Sequence, residues 1–166
     1  GWHSTSVELP VGKDAAGAAW FLTGALTDPD AGVREAVIAT LVALHPEDEP
    51  FLIEALRTDT ASAKNGIFVV WHRLAGAGIP GLATALYDAS GIIRLNAARA
   101  LELLAKQGAA NAVGDLEARL ADPVGQVRAA AQAAIDAIGG KLRPPVVLEP
   151  DPIDVPGFDE TLVDDE

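Results

Sequence analysis

Four basic residues, Arg34, Lys64, Arg94 and Arg128, recur at intervals of 30, 30 and 34 residues. A regular line of cations is chemistry for gathering anions, but a base at such a periodic position is also what pairs with an acid at the start of a neighbouring helix. We read the line as structural. The three histidines, His3, His45 and His72, stand far apart, and none lies four residues from another histidine as in a helical metal motif. The run His45-Pro46-Glu47-Asp48-Glu49 is rich in ligand atoms, yet proline followed by acids is ordinary chemistry for opening a helix. At Gly1-Trp2-His3 a free amine, two backbone amides and the imidazole would give the square-planar donor set that Cu(II) or Ni(II) prefers. That chelate needs nothing from a fold, and no metal or cofactor is assigned on it.

Nucleophilic chemistry has less to work with. The serines at 4, 6, 62 and 90 fall in the N-terminal stretch or at turns, and none sits in a Gly-x-Ser-x-Gly elbow. Gly76-Ala77-Gly78 lacks the Lys and Ser/Thr of a nucleotide loop. The chain has no cysteine, which removes thiolate ligands, disulfides and cysteine nucleophiles. No catalytic residue is named, and the expectation is that the chain is not an enzyme.

Charge and composition narrow the partners. A net charge of -12 and a pI near 4.5 repel phosphate backbones and anionic lipid surfaces, so nucleic acid is not expected as a partner. No apolar run is long enough to span a bilayer, so no direct membrane insertion is expected. The chain opens at Gly1 without an initiator methionine, and the balance falls on a processed extracytoplasmic form over a cytoplasmic one. Hydrophobic content of 49% with only 5% aromatics, most of it Ala, Leu, Val and Ile, suits closely packed helices.

The elements that must position any site are visible as a repeat. Leu26–Leu44, Leu56–Leu74, Leu86–Leu104 and Leu120–Ile138 align without a gap. An apolar stripe runs through Val33, Val37, Leu41 and Leu44 in the first segment, and through the equivalent positions of the others. Steps of four, four and three residues put it on one helical face. Leu22, Leu52, Leu82 and Leu116, four residues before each segment, mark a preceding helix. Asp28-Pro29 and Asp122-Pro123 read as N-cap and first helical residue, and Gly76, Gly78, Gly108 and Gly139-Gly140 as helix ends.

The pattern Leu-x-Asp-x-x-x-x-Val-Arg, met by Leu26, Asp28, Val33 and Arg34 and by Leu120, Asp122, Val127 and Arg128, resembles the HEAT-repeat superfamily, in particular its short bacterial repeats. The third segment keeps Leu86, Asp88, Ile93 and Arg94, while the second departs with Thr58, Ala63 and Lys64. The resemblance covers roughly residues 14–140 and implies an all-α fold, an alpha-alpha superhelix or solenoid of four helical hairpins. It would be flanked by an N-terminal extension over 1–13 and an extended tail over 141–166. Iron-binding HEAT hydroxylases place His-Glu dipeptides on helices, and this sequence has none.

The expected function is a non-catalytic scaffold subunit of a larger assembly, binding protein partners through the exposed face of the second helices and the tail. On that face the expected contacts are Ile38, Val42, Phe68, Val69, His72, Leu95 and Arg99, with Phe68 and Val69 equally readable as core. The tail holds eight acids and five prolines around anchors that include Ile153, Val155 and Phe158, and is expected to dock on its own solenoid or on a neighbouring subunit. The alternative is an accessory subunit of a bilin-lyase-like or other cofactor-loading enzyme, a reading from resemblance alone. DNA-lesion binding, as in HEAT-like glycosylases, would need a basic concave face that the charge balance denies.

Overall fold

A computed structural model describes residue 22 and residues 24–140. The expected N-terminal extension, most of the stretch expected to lead the first hairpin and the tail with Ile153, Val155 and Phe158 lie outside the described residues. Within them the fold is all-α, with no strand. The long second helices are α1 (Ala31–Leu44), α3 (Ala61–Leu74), α5 (Gly91–Leu103) and α7 (Gly125–Ile138). They alternate with shorter helices α2 (Glu49–Ala55), α4 (Ile79–Ala85) and α6 (Val113–Ala118). Single 3-10 turns at Ala75–Gly78 and Ala109–Ala112 lead into α4 and α6, and a third at Arg119–Ala121 follows α6.

The expected stripe forms most of the core. Ala63, Ile67, Trp71 and Leu74 of α3, and Ile93, Ala97, Leu101 and Leu104 at α5, are buried, as are Leu52, Leu82 and Leu116 of the short helices. Second helices pack directly on one another, α1 on α3 and α5 on α7. Six alanines, Ala97, Ala98, Ala100, Ala130, Ala131 and Ala134, are buried on α5 and α7. Small side chains let the two backbones approach, which explains the chain's alanine-rich composition. The stripe is looser at the two ends of the array, where Val37, Leu44, Ile135 and Ile138 are half-buried, and two apolar positions face solvent, one in the stripe and one opening the fourth segment. Val33 is 41% exposed, and Leu120 is 39% exposed because the 3-10 turn Arg119–Ala121 changes the helical phase there.

The helix starts are displaced from their expected places by two residues. Asp30, not Asp28, caps α1, accepting from the Gly32 amide at 2.7 Å, and Ser90 caps α5. Asp28, Asp88 and Asp122 instead each accept the amide two residues on, at 2.8, 2.9 and 3.0 Å, an Asx turn that leads the chain into the helix. Pro29 and Pro123 therefore precede the helix and do not occupy its first turn. Helix ends differ as well. Gly108 and Gly140 adopt positive φ, but α3 ends on Ala75 at φ 50, with Gly76 beyond it.

Three of the four residues of the basic ladder are structural, and they work by an unexpected contact. Arg34, Arg94 and Arg128 reach back six residues and donate to the carbonyls of Asp28, Asp88 and Asp122, the last two at 2.8 and 2.7 Å. Each of these turns is thus held by its own helix. The second unit, with Thr58 and Lys64 in place of Asp and Arg, is held from outside: Asn96 of α5 donates to the Leu56 carbonyl at 2.7 Å and the Thr58 carbonyl at 3.3 Å. The expected pairing with the acid of a neighbouring hairpin occurs at Arg94, whose guanidinium meets Asp122 at 2.8 and 3.1 Å.

Candidate functional site

The exposed side of α3 and α5 frames a groove of about 700 Å³ lined by Asn65, Phe68, Val69, His72, Arg73, Arg99, Glu102 and Leu103. The helical repeat sets this lining. On α3, residues 65, 68, 69 and 72 follow the i, i+3, i+4, i+7 spacing of one face, opposite the buried Ile67, Val70, Trp71 and Leu74. On α5, residues 99, 102 and 103 share a face in the same way. A smaller groove of about 330 Å³ between α1 and α3 shares Asn65 and Val69 with the first and adds Ile38, Arg34 and Ser62.

Four of the expected contact residues, Phe68, Val69, His72 and Arg99, come together around the larger groove. Phe68 is half-buried and packs against the core, so its ring serves both readings, while Val69 is 38% exposed. Ile38 and Leu95 require correction as surface contacts: they are 7% and 8% exposed and belong to the core. Direct packing of neighbouring second helices covers the edges of the face on which a lone helix would expose them. Val42 is half-buried against the same core.

Polar groups in the groove are unequal. Arg73 forms a bidentate pair with Glu35 of α1 at 2.6 and 2.8 Å, and the hydrogen bonds from Arg73 hold the Glu35 carboxyl below its ordinary range. His72 Nε2 lies 3.2 Å from the Gln107 side-chain amide, which ties the end of α3 to the chain beyond α5. Arg99 is half-buried and, among the described residues, has no hydrogen bond or ion pair. The one carboxylate in the lining, Glu102, shares the Arg99 face of α5 but is not paired with it.

Sequence reasoning missed three buried polar groups, Asn96, Asp48 and Asp136, the last 7% exposed and accepting from Gln132 at 3.0 Å. Asn96 is 1% exposed, and its only sequence signal is an amide where the other three segments place Ala36, Gly66 and Ala130. Asp48 is 3% exposed, and although it sits at the N-cap of α2 its side chain makes no capping bond. His45 Nδ1 stands 3.7 Å from the Asp48 carboxylate and His45 Nε2 stands 4.0 Å from Glu49. The His45-to-Glu49 run is therefore more than a helix start. Among the described residues no group of three or more His, Cys, Asp or Glu is disposed to hold a metal ion, and no helix is long and apolar enough to cross a membrane.

No family model and no curated protein matches the chain. Among solved structures it is similar to human deoxyhypusine hydroxylase in complex with glycerol, at 26% identity and a TM-score of 0.46, over 74% of this chain and 44% of that one. The chain thus spans less than half of that protein's length. The hydroxylase is an all-helical HEAT-repeat enzyme, compatible with the HEAT-like resemblance of the sequence. The neighbour is an enzyme, against the expectation of a non-catalytic scaffold, which is not carried further, and at this TM-score it assigns the chain no activity.

Proposed function

We propose that this short HEAT-like solenoid, of the bacterial kind, binds a compact amphipathic anion in the groove between α3 and α5. The observation that carries the reading is Arg99, a half-buried guanidinium without a partner among the described residues, beside the apolar surfaces of Phe68, Val69 and Leu103. Desolvating a cation without a counter-charge is unfavourable, and a carboxylate or similar anion accepting its forked N-H groups offsets that cost. The apolar body of the ligand would lie on Phe68 and Val69, with Asn65 free to bond its polar edge. A groove of about 700 Å³ is within the range that small organic ligands fill.

The test is a titration with 2-naphthoate, followed by amide chemical shifts and by calorimetry. Saturable shifts confined to the groove-lining parts of α3 and α5 are expected, with Arg99→Gln weakening binding about tenfold or more. The neutral 2-naphthalenemethanol should bind less tightly than the acid. Shifts scattered over the surface, or an Arg99→Gln protein that binds as well as the native one, would remove the proposal.

A further inference from the structure

The connector that joins the first hairpin to the second contains a buried acid-base pair that the groove does not use. Asp48 is 3% exposed, and among the described residues neither of its carboxylate oxygens has a hydrogen-bond partner. His45 Nδ1 is also buried without a partner, and its 3.7 Å separation from Asp48 is close enough for charge attraction but too long for a hydrogen bond. On its other side the same imidazole places Nε2 3.2 Å from the Ala77 carbonyl, in the turn Ala75–Gly78 of the next hairpin. That turn is pressed onto Trp71: a Cβ added at Gly78 would lie 2.9 Å from the indole. His45 therefore links a buried carboxylate on one side to the packing of a buried tryptophan on the other.

We propose that His45 and Asp48 form a proton-binding site that sets whether the 45–49 connector lies closed on the Ala75–Gly78 turn. With a proton on Asp48 the carboxyl is neutral and tolerates a site without donors. When that proton leaves to solvent, the carboxylate must be solvated or drawn onto His45, and either movement pulls the imidazole from the Ala77 carbonyl. The surrounding charges do not supply an alternative partner. Glu47 and Glu49 on the same connector and helix oppose ionisation, and α4 and the Ala75–Gly78 turn carry no titratable side chain. On α3, His72 and Arg73 are engaged by Gln107 and Glu35, and Lys64 lies in the first turns. On α1, Arg34 is held by Asp28 and Glu35 by Arg73. Burial, the largest influence, pushes the Asp48 carboxyl up to about 6, with the nearby His45 opposing it.

Trp71 reads the joint in a full-length protein carrying Trp2→Phe and Trp20→Phe. Its emission should shift to the red as pH rises from 5 to 8, with a midpoint near 6, and amide exchange at residues 75–78 should accelerate over the same interval. Asp48→Asn should abolish both changes. His45→Gln should move the midpoint upward, because the charge that favours the carboxylate is gone. Should Asp48→Asn fail to fold, the side-chain carboxyl carbon shift of Asp48 in the native protein gives the midpoint directly. A pH-independent emission, an Asp48→Asn profile identical to the native one, or a His45→Gln midpoint that stays put or falls would each overturn the proposal.

Discussion

Two joints in this solenoid bury an aspartate to nearly the same extent and treat it in opposite ways. At the joint between the third and fourth hairpins Asp122 is 2% exposed and receives Arg94, Arg119 and the Val124 amide. At the joint between the first and second, Asp48 is 3% exposed and receives no hydrogen bond. Burial raises both carboxyls, but at Asp122 the Arg94 hydrogen bonds, the Val124 amide and the two guanidinium charges outweigh it and bring the group below its ordinary 3.8. Asp48 has only the His45 charge and its own backbone amide in opposition, with Glu47 and Glu49 adding to the effect of burial, and stays near 6. Solvent exclusion alone therefore decides neither protonation nor strength at these joints; the number of aimed donors does.

The largest test of that contrast is Asp122→Ala. Removing the carboxylate leaves Arg94 buried and uncompensated, and chemical denaturation should show a loss of about 3–5 kcal/mol. The contribution belongs to the ionised carboxylate: it is present above the unfolded value of 3.8 and disappears as pH falls through the lower folded value. Native and variant stabilities should therefore converge in acid, and a constant gap would show that packing, not charge, holds the joint.

Asn96→Ala comes next and asks whether a joint with borrowed donors behaves like one with its own. The Leu56 and Thr58 carbonyls lose their bonds to the amide, and denaturation should register a loss of about 2 kcal/mol, independent of pH.

The smallest effect has the opposite sign. Because the folded carboxyl of Asp48 titrates above its unfolded value, its stabilising contribution is complete below pH 3.8 and is lost as pH rises through about 6. Asp48→Asn cannot ionise and should raise stability by about 1–2 kcal/mol at pH 8, with no gain below pH 4. A variant less stable than the native protein at pH 8 would place Asp48 in the same class as Asp122.

How much of this was legible in the sequence follows from periodicity. Leucines at fixed offsets impose the hairpins, because a helix that leaves Leu52, Leu82 or Leu116 in water has no stable alternative burial. Helix starts were two residues off, since an Asp before Pro looks alike whether it caps the helix or makes the preceding Asx turn. The surface residues divided by local crowding: Val69 and Arg99 reached the groove, whereas Ile38 and Leu95 went under neighbouring helices that a single helical wheel does not include. Asp48 was invisible because nothing in a Pro-Glu-Asp-Glu run states which acid turns inward. Its donor deficit depends on how the connector packs in three dimensions, which the run does not encode.

The Arg clasp on each turn has a consequence for how such arrays can be cut and recombined. Hairpins one, three and four carry the fastener for their own bend, and so are self-sufficient pieces at that point. The second hairpin has surrendered its fastener to Asn96 of the third. Any shuffling, truncation or graft that separates those two neighbours leaves the bend of the second open, so they must be inherited, and engineered, as one indivisible piece.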